Sequence, residues 1–437
     1  MTHVTEHQTK HIPVIIVGGG QAGLCASYFL QQKNIKHLLL EKNTLMHGWK
    51  HERWDSFTLV TPNWQCDLPG HPYAGDDPDG FMNHPEVVSY LNEFAEKVDA
   101  PVHEGVTVYS VVCDSKGLYE VVTSQGCFTA DQVVVCSGGY HIPVIPRMAE
   151  RLPQNITQIH SAQYKNPAQL PDGGVLVVGA GQSGAQIAED LHLEGRKVFL
   201  ATGDSPRVAR FYRGKDVVRW LDDMGYYQMS VDNHPLGKNV RSNTNHYVTG
   251  RDGGRDIDLR KFATEGMELF GLMTDYQDGE LVFQPDLEAH LDSADETYNS
   301  INSRIDQWIA QQGIETDEGP SVYKPVWKPE RERTRLNLSE SGITSVIWSI
   351  GYRPDFGWLD APVFNGQGHP QHQRGITGQP GLYFLGLPWL HTWGSGRFSG
   401  VRQDAEYLVK QIEEYQAELN EYCGDLPAKK RKASMSA

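Results

Sequence analysis

The sequence predicts an α/β protein with two Rossmann-like dinucleotide-binding domains, each built in three layers, one inserted in the other, and with an extra cap-like insertion. The main observation is a pattern that occurs twice: a short apolar strand, a glycine-rich turn and the start of a helix. The glycines are Gly18, Gly20 and Gly23 in the first turn and Gly179, Gly181 and Gly184 in the second. Each turn opens a strand-helix-strand succession, so two dinucleotide sites are expected, with a duplicated fold whose second site is inactive as the alternative.

The first unit has all the features of an ADP-binding turn. Its first glycine makes the tight turn, its second lets the backbone approach a pyrophosphate, and its third lets the helix lie close to the strand. The phosphates are expected at the helix N-terminus, and an acid after the next strand is placed to accept hydrogen bonds from a ribose diol. The predicted contacts are Gly18, Gly20, Gln21, Ala22, Gly23 and Glu41.

The second unit lacks the acid, because Thr202 stands in its place. A carboxylate there would repel a 2′-phosphate, so its absence favours NADPH over NADH, and Lys197, Arg207 and Arg210 are nearby cations. The two arginines could equally be surface charge. The predicted contacts of the second unit are Gly179, Gly181, Gln182, Ser183, Gly184, Thr202, Arg207 and Arg210.

Composition indicates an acidic, soluble enzyme. The 437 residues include 39 Lys and Arg against 55 Asp and Glu, a formal charge of −16 that argues against a nucleic-acid partner. No apolar run approaches the length of a membrane span, and residues 1–10 are too polar for a signal peptide. We therefore expect no membrane partner and a cytoplasmic location.

The six cysteines lie far apart and include no C-x-x-C pair. We expect buried thiols rather than disulfides or metal ligands, and no metal site. Flavoproteins that pass electrons to disulfides need a redox-active cysteine pair, so thiol reduction is not expected.

The order of the elements predicts one domain inserted in another. The first domain is expected to comprise 1–150 and 340–437, and the second 151–339. Residues 211–335 exceed what a nucleotide domain needs and are interpreted as a cap, with a peripheral elaboration as the alternative. Helices are predicted at 84–98, 287–312 and 400–420, and strands at 106–112, 118–123, 127–129 and 131–136.

Five segments resemble the motifs of one enzyme family. They are 48–59 (G-W-K-H-E-R-W-D-S-F-T-L), 62–69 (P-N-W-Q-C-D-L-P), 136–146 (C-S-G-G-Y-H-I-P-V-I-P), 350–354 (I-G-Y-R-P) and 400–405 (G-V-R-Q-D-A). On these segments the chain resembles the class B flavin-containing monooxygenases, and within them the bacterial and YUCCA-type branch of indole-3-pyruvate monooxygenases. The family's identifying run, F-x-G-x-x-x-H-x-x-x-F/Y, survives as His160 and Tyr164, whereas Gln154 and Ile156 stand where Phe and Gly are expected.

The resemblance implies FAD in the first unit and NADPH in the second. NADPH would reduce FAD, O2 would add to form a C4a-(hydro)peroxyflavin, and one oxygen would pass to a small organic substrate, either a soft nitrogen or sulfur nucleophile or a 2-oxo acid. Further cofactor contacts implied by the matched motifs are Gly48, Trp49, Gly138, Gly351, Gly400 and Val401.

Three side chains are predicted to act in the reaction. Asn63 would donate a hydrogen bond to the peroxide, Trp49 would wall the flavin from water, and His160 would act at the domain junction. Asn63 follows a proline and is equally typical of a turn, and His160 could be a buried, hydrogen-bonded histidine. The aromatic candidates for substrate contact are Tyr212, Tyr226, Tyr227, Tyr247, Trp389 and Trp393.

These features predict a monooxygenase whose partners are O2 and a small-molecule substrate, with a homodimer as the candidate assembly. One alternative is an NAD(P)H oxidase or reductase that never oxygenates an organic substrate. The other is a non-catalytic flavin redox-sensing module, which an intact second nucleotide site disfavours because a sensor need not bind NADPH.

Overall fold

The computed structural model of the protein describes residues 10–243 and 245–424. Among the described helices, none combines the length and apolar character that a bilayer crossing requires. The α-helices in these ranges are α1 (Gln21–Gln32), α2 (His47–His51), α3 (His84–Val98), α4 (Gln182–Leu193), α5 (Val217–Asp223), α6 (Leu259–Thr264), α7 (Leu287–Gln312), α8 (Leu338–Ser341) and α9 (Val401–Gly424). The helices predicted at 84–98 and 287–312 are confirmed, and the last helix continues to residue 424.

The first domain is organised on a seven-stranded sheet. Its order is His372–Gln373, Ile376–Thr377, Leu382–Phe384, Gln132–Val135, Val14–Val17, His37–Leu40 and Val102–His103. The strand before the first glycine turn is central and pairs in parallel with the strands on both sides. Leu382–Phe384 also pairs in parallel with Gln132–Val135, so the chain returns to this sheet after an excursion of more than 200 residues.

The two faces of this sheet bury different partners. Val14 and Ile16 point into a core shared with α1 and α9, whereas Ile15 and Val17 pack against a second sheet. That second sheet has the order Lys10–His11, Gly126–Ala130, Tyr119–Thr123, Val108–Cys113 and Leu359–Asp360. Burial of such side chains contributes about 1.5–3 kcal/mol each, which is why a run of four apolar residues without alternation forms the middle of three layers.

The inserted domain has a five-stranded sheet in which every neighbouring pair is parallel. Its order is Thr157–His160, Ile343–Trp348, Gly174–Val178, Val198–Ala201 and Glu268–Phe270. A three-stranded antiparallel sheet of Met273–Gln277, Glu280–Phe283 and Arg335–Asn337 lies beside it. The predicted fold, two Rossmann-like domains with one inserted in the other, is confirmed.

The long insertion forms a subdomain around α5, α6 and α7. Ile301, Ile305 and Ile309 on one face of α7 pack against Val217 and Trp220. A hairpin of Phe211–Tyr212 and Lys215–Asp216 precedes α5. In the first domain, the segment that follows Pro62 includes an antiparallel hairpin of Asp67–Leu68 and His71–Pro72.

The two connections between the domains run side by side. Ile142–Pro143, on the outward connection, pairs in antiparallel register with Tyr352–Arg353 on the return. The domains are therefore joined by a two-stranded ribbon, which we call the linker ribbon.

Candidate active site

The first glycine turn has the geometry that a pyrophosphate requires. Gly18 has φ +114°, and a Cβ there would lie 2.6 Å from the carbonyl oxygen of Cys136. A Cβ on Gly23 would overlap the carbonyl oxygen of Gly18, so the helix reaches the strand only because both residues are glycine. Gly20, the N-cap of α1, has no atom within 4 Å of its Cβ position and faces open space. The residues present therefore fit a dinucleotide bound at this turn.

Glu41 lies beside this turn. It directly follows the strand His37–Leu40, and its carboxylate accepts hydrogen bonds from the Gly19 amide at 2.7 Å and the Asn43 amide at 2.7 Å. These two bonds fix the carboxylate at the edge where the ribose of a bound nucleotide is expected.

The second turn repeats the first almost residue for residue. Gly179 has φ +101°, and a Cβ there would lie 2.5 Å from the carbonyl oxygen of Ser349. A Cβ on Gly184 would overlap the Gly179 carbonyl oxygen, as in the first turn. Gly181 is the N-cap of α4; Gln182 donates to the Val248 carbonyl at 2.8 Å. Ser183, next in the helix, is exposed.

Thr202 occupies the place of the missing acid. Its amide donates to the Phe270 carbonyl at 2.9 Å, as the Glu41 amide donates to His103 in the first domain. Its buried hydroxyl contacts the same Phe270 oxygen and Nδ1 of His290. Thr202, which has no charge, therefore occupies the position that corresponds to Glu41 in the first turn.

The predicted phosphate-binding role of Arg207 and Arg210 does not agree with their surroundings. Arg207 is buried, lies 2.8 Å from a carboxylate oxygen of Asp295 and is stacked between two tyrosine rings. Arg210 is also buried and binds Asp216 at 2.7 Å and the Val60 carbonyl at 2.7 Å. Both guanidinium groups are engaged inside the insertion and its contacts, because an unpaired buried charge would destabilise the fold.

Lys197 is not a phosphate ligand either. It precedes the strand Val198–Ala201 and so lies at the amino end of the sheet, opposite the cofactor edge, where it pairs with Glu268 at 3.3 Å.

Trp49 connects the first turn to the loop 387–400. Its indole Nε1 donates to the Gln21 amide oxygen at 3.0 Å, and Gln21 in turn donates to the Gly396 carbonyl. The indole packs against Phe398 with ring centres 4.9 Å apart. Gly48, beside it in α2, is not tightly packed. Trp49 therefore lies beside the first turn, and its role as a wall for the flavin stays a prediction.

Asn63 serves the fold of its own segment. Its amide nitrogen donates to the Asp77 carbonyl at 2.9 Å, and its amide oxygen accepts from the Met82 amide at 2.7 Å. The side chain is buried and holds the loop 63–83 together. These bonds correspond to the turn alternative, and the donor role of Asn63 stays a prediction.

His160 is also held by the backbone at both ring nitrogens. Nδ1 accepts from the Ala162 amide at 3.2 Å, and Nε2 contacts the Gly351 carbonyl at 3.1 Å. Burial lowers the pKa of His160, which favours the neutral imidazole. This arrangement corresponds to the buried, hydrogen-bonded alternative and ties the inserted domain to the linker ribbon.

Gly138 and Gly351 lie on the two connections, and Gly400 and Val401 lie at the start of α9. Gly138 and Gly351 have positive φ values of 75° and 86° with open space at their Cβ positions. Gly400 packs against the backbone of Gly394, and Val401, fully buried, begins α9. The positive end of the α9 dipole therefore points into the loop 387–400.

The insertion contacts two loops of the first domain. The Val231 amide donates to the His391 carbonyl at 2.6 Å, and Arg241 donates to the Trp389 carbonyl at 3.0 Å. Arg219 donates to Asp79, in the loop 63–83 that contains Asn63, at 2.9 Å. Residues of the insertion therefore contact both the loop 387–400 and the loop 63–83, which supports the cap interpretation.

Four of the six aromatic candidates for substrate contact lie close together where the insertion meets the loop 387–400. Tyr227 and Trp393 have ring centres 4.4 Å apart, and Tyr226 lies 6.3 Å from Trp389. Tyr212 donates to Asp306, and Tyr247 is buried beside Arg207, so neither joins the group. We call Tyr226, Tyr227, Trp389 and Trp393 the aromatic cluster.

Two arginines of the junction were given no role by the sequence. Arg53 stacks over Trp49 at 4.8 Å and donates to the Glu52 carbonyl, and Arg397 follows the aromatic cluster. In the sequence, the signal that could have pointed to these two arginines is their position: Arg53 lies in a segment that matches a family motif, and Arg397 lies in a glycine-rich run.

Comparisons with known proteins place the chain in a family. The model of a family described as pyridine nucleotide-disulphide oxidoreductase matches residues 15–224. An uncharacterized CzcO-like oxidoreductase of Geobacillus kaustophilus is 33% identical over 404 residues, which is 92% of this chain and 98% of that protein. The chain belongs to the CzcO-like family of oxidoreductases.

More distant relatives define the wider class. The indole-3-pyruvate monooxygenase YUCCA6 of Arabidopsis thaliana is 29% identical over 202 residues, 44% of this chain and 48% of that protein. A solved flavin-containing monooxygenase from Stenotrophomonas maltophilia shares the fold with a TM-score of 0.64 at 20% identity, over 93% of this chain and 99% of that one. The resemblance to class B flavin monooxygenases of the YUCCA-like branch is confirmed, and the family to which the chain belongs is one of oxidoreductases.

Proposed function

We propose that the protein is an FAD-dependent, NADPH-consuming monooxygenase that uses O2 to oxygenate a small organic substrate. One observation carries the proposal. Gly18 packs against Cys136, at the start of the outward connection, and Gly179 packs against Ser349, at the start of the return. Because these connections pair in the linker ribbon, both dinucleotide turns open at the same junction, under the same cap.

The side chains of the junction supply what such a reaction needs from the protein. FAD, when bound, would supply hydride acceptance and the activation of O2. Gly20 and the N-terminus of α1 would bind its pyrophosphate, and Glu41 its ribose. Trp49 and the aromatic cluster exclude water, and the N-terminus of α9 stabilises negative charge at its end.

The reductant is proposed to be NADPH, on the ground that Thr202 replaces the acid. Arg207 and Arg210 are paired with Asp295 and Asp216 and so add no free charge for the 2′-phosphate. We therefore expect only a modest preference for NADPH over NADH. Disulfide reduction is disfavoured, because burial raises the pKa of Cys25, of Cys136 and, to about 12, of Cys66 and so opposes thiolate formation.

The proposal is tested by the fate of the oxygen. Holoenzyme is supplied with NADPH and ¹⁸O2, candidate substrates are added, and products are analysed by mass spectrometry while hydrogen peroxide is quantified. One ¹⁸O atom in an organic product, with a matching decrease in peroxide, supports the monooxygenase. Stoichiometric peroxide with every substrate favours the NADPH oxidase, and FAD binding without any NADPH oxidation favours the redox sensor.

A further inference from the structure

Asp190 is a buried carboxylate that accepts hydrogen bonds from three separate parts of the chain. One of its oxygens accepts from the Ser56 hydroxyl at 2.5 Å and from the Arg251 guanidinium at 2.6 Å, and the other accepts from the Tyr164 hydroxyl at 2.7 Å. Ser56 belongs to the first domain, Tyr164 to the inserted domain and Arg251 to the insertion. A carboxylate taken out of water needs such donors, so these side chains are held in one arrangement.

A second side chain of the inserted domain holds the same part of the first domain, residues 51–56, which we call the junction segment. The ammonium group of the half-buried Lys165 donates to the His51 carbonyl at 2.5 Å and to the Arg53 carbonyl at 2.8 Å. The Asp55 amide donates to the Lys165 carbonyl at 2.8 Å. The junction segment is therefore attached to the inserted domain at both of its ends, by Lys165 at the first and by Asp190 at the last.

The junction segment lies between the two cofactor turns. Asp190 is on α4, whose first residue, Gln182, belongs to the second turn, and about 12 Å of helix separates the two residues. At the other end, Trp49 lies just before the junction segment, and its indole donates to Gln21, the first residue of α1, at 3.0 Å. The second turn is therefore joined to the first by one helix, the hydrogen bond between Ser56 and Asp190, and the chain from Ser56 back to Trp49.

We propose that Asp190 and Lys165 are positioning residues that fix the second cofactor turn against the first, and so set the rate at which hydride reaches the flavin. The proposal rests on the proposed function for the identity of the two cofactors. In the step concerned, a hydride leaves NADPH, which becomes NADP+, and is accepted by FAD, which is thereby reduced. Reacting atoms must come within about 3–3.5 Å, and a displacement of about 1 Å can slow such a step about 100-fold.

The test compares two substitutions, singly and together, in the holoenzyme. Ser56→Ala removes the hydroxyl that reaches Asp190, and Lys165→Met removes the ammonium group but keeps the apolar stem. Neither removes the backbone hydrogen bond between Asp55 and Lys165, so the fold and the FAD content should be kept. Anaerobic stopped-flow mixing with increasing NADPH gives the limiting rate of flavin reduction and the Kd of NADPH. We expect each single variant to be reduced about threefold more slowly and the double variant at least about tenfold more slowly, with Kd changed less than about twofold.

The matched control is Ser89→Ala. It also removes a serine hydroxyl that donates to a carboxylate, that of Glu93 at 3.1 Å, but both residues are on the exposed face of α3. This variant should be reduced at the wild-type rate. Ser56→Thr, which keeps the hydroxyl, should keep at least about half of that rate.

A second measurement separates positioning from a general loss of structure. Each enzyme is reduced with dithionite in the absence of nucleotide and then mixed with O2. Because no nicotinamide takes part, the rate of reoxidation should be the same in the wild type and in every variant. Slower reoxidation in the double variant, or loss of FAD from it, would show that the substitutions damage the flavin site and would overturn the proposal.

Three other results would overturn it as well: a double variant reduced at the wild-type rate, a weaker Kd of NADPH at an unchanged limiting rate, or a Ser56→Thr variant as slow as Ser56→Ala. If NADPH does not reduce the wild type, the proposed function and the positioning role both fail. Reduction without transfer of ¹⁸O to any substrate would refute the monooxygenase alone and leave the positioning role intact.

Discussion

Alanine at two glycines of the first turn should weaken cofactor binding in both cases but destabilise the fold in only one of them. Gly20→Ala adds a Cβ that meets no atom within 4 Å, at a residue with φ −79° and ψ −173° that any amino acid adopts. Gly23→Ala adds a Cβ that overlaps the backbone carbonyl oxygen of Gly18. The first substitution fills space reserved for the pyrophosphate, and the second forces α1 away from its strand.

The magnitudes follow from these contacts. For Gly20→Ala, the poorer helix cap and the lower entropy of the unfolded chain offset each other to within about 1 kcal/mol, so the apoprotein should keep its melting temperature. For Gly23→Ala, overpacking against backbone costs about 1–3 kcal/mol or more, a loss of roughly 2–10 °C. Both variants should bind FAD roughly tenfold more weakly or worse, since 1.4 kcal/mol already gives that factor.

Apoprotein melting by circular dichroism and FAD titration by flavin fluorescence separate the two effects. Wild type and Gly203→Ala, whose Cβ also meets no atom within 4 Å but which lies in the other domain, are the controls. The reasoning fails if Gly20→Ala melts as early as Gly23→Ala, or if Gly20→Ala binds FAD with wild-type affinity.

Three other substitutions test the roles that the structure gives to buried polar groups. Arg207→Met removes one of the two arginines that pair with Asp295, so it should lower the free energy of urea unfolding by about 1–3 kcal/mol, while the ratio of kcat/KM for NADPH over NADH changes less than about twofold; a selective loss of NADPH would restore the phosphate role. Asn63→Ala should lower the free energy of unfolding by about 1–3 kcal/mol, and unchanged stability with lost oxygenation would reinstate its donor role. Burial raises the pKa of Glu189 from 4.5 to about 7 despite Arg255 at 3.2 Å, so the folded state holds that proton more tightly than the unfolded state. The free energy of unfolding should therefore fall by about 1–3 kcal/mol as pH rises from about 4.5 to 7, and Glu189→Gln should remove this slope; an identical slope in the variant would contradict the assignment.

The cofactor turns could be predicted from sequence because their requirements are local. A strand of four apolar residues, a glycine with positive φ and a glycine under a carbonyl oxygen all fall within ten residues of each other, so the pattern contains its own geometry. The same holds for α7, where Ile301, Ile305 and Ile309 repeat at helical spacing.

The roles of the polar side chains could not be predicted in this way, because their partners are distant in sequence. Arg207 is paired by Asp295, and Arg210 reaches Val60 across 150 residues. Counting residues past the end of a strand predicts that a cation lies near the phosphate. It gives no information about a carboxylate that lies much later in the sequence, on α7. The hydrogen bonds of Asn63 could not be predicted for a different reason. Its partners, at Asp77 and Met82, are backbone groups, and no side-chain pattern in the sequence marks them.

The linker ribbon sets how the two halves can move against each other. A single connecting strand permits rotation about several backbone bonds, whereas Ile142–Pro143 and Tyr352–Arg353 are fastened to each other by backbone hydrogen bonds and must twist as one strip. The centre of the Tyr352 ring lies 4.9 Å from that of His160 and 5.4 Å from that of Tyr140, so aromatic packing also anchors the ribbon. Contacts outside the ribbon, such as the Asp55 amide donating to the Lys165 carbonyl at 2.8 Å and Ser56 donating to Asp190 at 2.5 Å, oppose the same rotation, so the relative placement of the two turns is fixed by more than the chain connections.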